Sequence, residues 1–203
     1  MKQITVTETV YTLDELSDTA RRNALEKMCQ WMNEWIEPSQ ITDFLNGELL
    51  GMLTGEYIGE IGSKELDKRV GLSIGWSLSY SQGDGVAIYG RIYATDTPIL
   101  QWPENATYAD LTNISNHYTH ENSFSIKLLG ENDEGYETEY DEEHTDTFAQ
   151  QLRDICVNLK KLGYQELENL TGEQAIREHL EWSEPRRFTE NGDIQPSKWW
   201  AQQ

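Results

Sequence analysis

Apolar side chains recur along this chain in two rhythms, one near four residues and one of two, and the switches between them predict its elements. Residues 4–11, ITVTETVY, alternate β-branched and polar side chains and predict an opening strand. Thr12 and Glu15 have capping-box spacing, and Ser17 stands where a second N-cap would open a longer helix. Behind it Ala20, Ala24, Met28, Trp31 and Trp35 share one helical face, and Pro38 is expected to end that helix. Residues 39–53 carry a second helical pattern through Ile41, Leu45, Leu49 and Met52, and residues 54–70, with three glycines, read as loop with room for one helical turn.

The rhythm then shortens. Residues 72–80 and 86–94 alternate large and small side chains around SQGDG, which predicts an antiparallel hairpin turning at 82–85. Residues 95–110, with Pro98 and Pro103, read as a surface connection or a short capped helix, and 123–129 as a further strand. Phe148, Leu152, Ile155 and Leu159 restore helical spacing over 145–162, with Gly163 in the C-cap position, and a last helix fits 172–182. Together these elements predict an α+β fold: a mainly antiparallel sheet with a central hairpin, flanked by amphipathic helices at both ends. At 203 residues the expectation is a single domain over 1–185 and an irregular tail over 186–203.

Charge narrows the function classes. Thirty-six acidic residues against 16 basic ones give a formal net charge of -20, a field that repels nucleic acid and anionic membranes and attracts basic protein surfaces. A compositional habit of the source would produce the same excess. Cys29 and Cys156 both sit in apolar helical patterns, so no disulfide framework is expected. No stretch reads as a signal peptide or a membrane span, and the expected location is the cytoplasm.

The segments YTLDELSDTARRNALEK, SYSQGDGVAIYG and LTGEQAIREHLEWSEPRRFTENGDI resemble an uncharacterised family of small acidic proteins encoded by tailed phages, prophages and plasmids. The resemblance implies a mobile-element setting in a bacterial host and little chemistry. By association, it also implies an inhibitor of host defence, with restriction or CRISPR effectors as the target class.

The most informative cluster is the acidic segment 131–146: Glu131, Asp133, Glu134, Glu137, Glu139, Asp141, Glu142, Glu143 and Asp146, with no Lys or Arg among them. Carboxylates so placed can imitate duplex phosphates, whereas the plain alternative is a solvated loop. Reversing Glu137, Glu139, Asp141 and Glu142 to lysine is expected to relieve repulsion and stabilise the fold slightly. An EF-hand register fails, because Gly135 falls at position 5 counted from Glu131. His117 and His120 lack further zinc ligands, and Ser79, Ser81 and Asp84 lack a nucleophile motif, so a register-fixing turn is the expectation there. Trp31, Trp35, Trp76, Trp102 and Trp182 are expected in the core, with Trp199 and Trp200 as candidate exposed contacts. The reading is a non-catalytic protein without metal or cofactor that binds a basic, nucleic-acid-binding host protein as a DNA mimic. A metal-assisted hydrolase and a phage structural or assembly protein are its alternatives.

Overall fold

The Thr12 and Glu15 spacing folds as a cap: in a computed structural model of the chain, Glu15 accepts hydrogen bonds from the Thr12 amide at 2.8 Å and hydroxyl at 2.9 Å. The structure describes residues 9–115, 117–132, 134–182 and 186–195; most of the expected opening strand, like Trp199 and Trp200, lies outside them. Two compact units divide the chain, one of residues 1–36 and 167–203, the other of residues 37–166.

In the first unit a single 3-10 turn, Leu13–Glu15, precedes α1, Asp18–Asn33, whose N-cap Ser17 accepts from the Ala20 amide. Ala20, Ala24 and Met28 turn inward and meet Leu13, Leu16, Phe188 and Ile176, the last from α5, Glu173–Trp182. Residues 187–195, expected as irregular, make a small antiparallel ribbon of β6, Arg187–Phe188, and β7, Ile194–Gln195, numbered after the five strands of the second unit. Lys27 pairs with Asp193, and Tyr11 and Phe188 exchange two backbone hydrogen bonds of 2.9 Å. Two tryptophans depart from the expected core. Trp35 lies past the end of α1 and is 69% exposed, and Trp182 at the end of α5 is 89% exposed.

The second unit opens with α2, Pro38–Thr54. Pro38 therefore starts a helix instead of ending one. It occupies the first helical position, where its missing N–H leaves nothing unsatisfied, while α1 has already finished at Asn33. The glycine-rich stretch holds a full helix, α3, Ser63–Val70, with Leu66 and Val70 buried.

Five antiparallel strands follow in the order β1-β2-β3-β4-β5: Leu72–Ser77, Gly85–Tyr93, Ala106–Asn113, Phe124–Glu131 and Glu137–Glu139. The α+β class and the central hairpin are as predicted. The hairpin link is not a tight turn at 82–85, because the pairing ends at Ser77 and Gly85 and residues 78–84 form a longer loop. Strand β3 replaces the expected surface connection. Its inward residues, Ala109 and Leu111, include one small side chain, which flattens the alternation, and Pro98 and Pro103 end before it begins. At Gly90, φ is +125° and a Cβ would stand 2.1 Å from the Gly71 carbonyl oxygen, so only glycine fits this crossing.

Helix α4 runs unbroken over Glu142–Thr171, and its last residues belong to the first unit. Gly163 is therefore no cap. It is a buried gap in mid-helix, where a Cβ would meet Leu78 at 2.6 Å and Leu45 at 3.5 Å. Among the described residues no helix is long and apolar enough to cross a membrane.

Cys156 on α4 is buried, and burial pushes its thiol up to about 12. Cys29 is half-buried. A disulfide reagent is expected to titrate one thiol of the native protein and the second only at the rate of unfolding. Two equally fast thiols in a native titration would contradict this packing.

Candidate functional site

The described residues of the acidic segment are ordered by bonds within it and by pairing with other strands. Asn132 closes the turn after β4: its side-chain carbonyl accepts from the Glu134 amide at 3.0 Å and the Tyr136 amide at 2.9 Å. Strand β5 then pairs with β4 in a register that sets Glu137 opposite Glu131 and Glu139 opposite Leu129. Like charges directly across a ladder repel, and neighbours relieve part of this load. Tyr108 donates its hydroxyl to Glu137 at 2.7 Å, and Lys127 approaches Glu139 at 3.1 Å.

The segment ends as the start of α4. Asp141 accepts from the His144 amide at 3.0 Å and meets its Nδ1 at 2.7 Å. Those two bonds, the amide's first, hold the Asp141 carboxyl below the usual carboxylate range. Glu142 and Glu143 occupy the first turn, where the amide dipoles of the helix favour negative charge.

The nine predicted residues thus divide. Glu137, Glu139 and Asp141 have partners in the fold. Glu131, Glu134, Glu142, Glu143 and Asp146 are exposed and have no side-chain partner among the described residues, and Asp133 lies outside them. Glu131 and Glu134 stand at the β4–β5 turn, and the other three at the beginning of α4. Reversal of Glu139 and Asp141 to lysine would therefore not stabilise the protein as expected, because it would face one lysine with another and place a cation at a helix N-terminus. Sequence reasoning missed the ordering residues Asn132, Tyr108 and Lys127. The spacings Asn132 to Gly135 and Asp141 to His144 carry a turn and a cap signal, while Tyr108 and Lys127 arrive from other strands and leave no local mark.

The second predicted cluster, Ser79, Ser81 and Asp84, does assemble, around a buried carboxylate. Asp84 is 4% exposed, and six donors stand within hydrogen-bonding distance of it. They are the hydroxyls of Ser77, Ser79, Ser81 and Tyr164 and the amides of Ser79 and Ser81, at 2.6 to 3.0 Å. Burial pushes the carboxyl up, but the bonds from Ser81, Ser77 and Tyr164 outweigh it and hold Asp84 well below the usual carboxylate range. Lys160 on α4 donates to the Asp84 backbone carbonyl at 2.8 Å. The serines thus serve the acid, and the loop is tied to a helix far along the chain.

His120 accepts the Asn122 amide at 3.0 Å through Nδ1, and His117 is exposed. Among the described residues no group of three or more His, Cys, Asp or Glu side chains is arranged to hold a metal ion. The chain is an α+β protein with an ordered acidic edge. No protein-family model matches it, and neither does any curated protein or solved structure.

Proposed function

We propose that the protein acts without catalysis, by presenting the carboxylates of 131–146 to a basic, nucleic-acid-binding surface of another protein. The observation that carries this reading is the exposure of Glu131, Glu142, Glu143 and Asp146 on a strand and a helix, with Glu134 exposed in the turn that Asn132 closes. Order matters because a partner then meets charges already in place and little conformational entropy is lost on binding. Glu137 and Glu139, two residues apart on a strand, lie about 6.8 Å apart along it, which is two steps of one DNA strand at about 3.4 Å each. The resemblance to phage-encoded proteins supports a restriction or CRISPR effector in the bacterial cytoplasm as the target.

The test is inhibition of DNA cleavage by a panel of host restriction and CRISPR nucleases, measured across salt concentrations. Inhibition is expected to weaken at least tenfold between low salt and 0.5 M, since exposed charges are screened within about 8 Å even at physiological ionic strength. The variant E131Q/E134Q/E143Q/D146N touches only carboxylates without a fold partner. It is expected to lose at least tenfold in potency through a slower association rate. Inhibition untouched by salt and by this variant would overturn the proposal.

A further inference from the structure

A second surface of the residue 37–166 unit has features that the acidic segment does not explain. An open groove of about 650 Å³ runs along α4, whose residues between positions 151 and 165 line it at helical spacing. At about 1.5 Å per residue that is a strip of about 21 Å. Ile155 and Leu162 are its apolar centre on α4, and Met52 of α2 and Ile99 face them.

The walls are fixed before anything binds. The Gln151 side chain accepts from the Gln101 amide at 2.8 Å and donates to the Gln101 carbonyl at 3.1 Å, which clamps the 97–101 loop to α4. Ile99 donates its amide to the Leu53 carbonyl at 3.4 Å. Its side chain nevertheless stays 58% exposed, and Tyr57, in an adjoining hollow that shares Met52, is 60% exposed. Ile99 in the groove and Tyr57 in the hollow beside it thus extend one apolar strip across Met52 and leave it open to solvent.

Charge selects the occupant. Within the groove Asp154 and Lys161 offset one another, and the surplus is acidic beside it, where Glu48 lines the adjoining hollow and, with Glu60, acts on the Tyr57 phenol. A small ligand would leave most of a 21 Å strip empty, whereas four turns of helix match it.

We infer that this groove docks an amphipathic helix of about four turns from a protein partner, apolar along one face and rich in lysine or arginine beside it. The surface is separate from the acidic segment, and the inference stands or falls independently of the function proposed above.

The probes are synthetic labelled peptides of about 14 to 18 residues. One has leucines at helical spacing flanked by lysines, a second has the same residues scrambled, and a third has glutamate in place of lysine. Each is titrated by fluorescence anisotropy against the full chain at physiological salt. The first is expected to bind at least tenfold tighter than the scramble, and the glutamate peptide not at all. Ile99→Asp, at an exposed position, is expected to weaken binding at least tenfold with an unchanged melting temperature. E131Q/E134Q/E143Q/D146N is expected to leave peptide binding intact. Equal binding of the scramble, no binding of any peptide, indifference to Ile99→Asp, or loss of binding in the acidic-segment variant would each overturn the inference.

Discussion

Asp84→Ala is expected to destabilise the protein by about 3–5 kcal/mol, read as a lowered urea midpoint at unchanged slope. The substitution leaves the amides of Ser79 and Ser81 and four hydroxyls without their common acceptor, in a loop where the carboxylate itself is buried. The loss is chiefly that of several hydrogen bonds to a charged acceptor, with Ser77 and Tyr164, both half-buried, the donors least able to turn to water, while Ser79 and Ser81 are exposed. Asp84→Asn keeps the shape and tests the charge alone. The folded carboxyl lies below its unfolded value of about 3.9, so its contribution is complete above that pH and is lost as pH falls toward the lower folded value. In Asp84→Asn the pH–stability curve should flatten below about pH 4 and keep its shape at neutral pH. An alanine variant within about 1 kcal/mol of the parent would show that the loop holds itself together by other means.

The second large effect belongs to the sheet. Gly90→Ala is expected to cost about 3 kcal/mol or more, since it joins a backbone angle that L-residues avoid to a contact of 2.1 Å with a carbonyl that cannot rotate away. Gly135→Ala is the control. It shares a positive φ, of 79°, but opens into empty space, so it should show conformational strain alone, about 1 kcal/mol. Thermal melts of the two variants separate strain from collision, and equal melting temperatures would show that β2 can move away from Gly71.

What could be read from the residues alone is what neighbours in sequence decide. The caps at Thr12 and Ser17 and the inward face of α1 follow from spacing within a few residues. So does the pairing of β1 with β2, where alternation runs through both strands. Pro38 and Gly163 were misread because each has two local meanings, helix end or helix start, cap or gap, and only tertiary packing selects between them. Asp84 sits among turn-forming residues and looks like one of them; the serines that bond it are neighbours, but its burial and the bond from Tyr164, 80 positions away, leave no local mark. The acidic segment was legible as charge and illegible as structure, because its order comes from pairing with β4 and from Tyr108 and Lys127.

Strand β5 also bears on how copies of the molecule meet one another. It is the last strand of the sheet, three residues long, and all three are exposed. A terminal strand offers open backbone hydrogen-bonding groups to any passing strand, and sheets that leave such an edge long and uncharged tend to grow into fibrils. Here a second copy arriving edge to edge would bring Glu137 and Glu139 against the same pair, in a ladder too short to recoup the repulsion. The carboxylates on β5 thus also disfavour growth of the sheet through this edge.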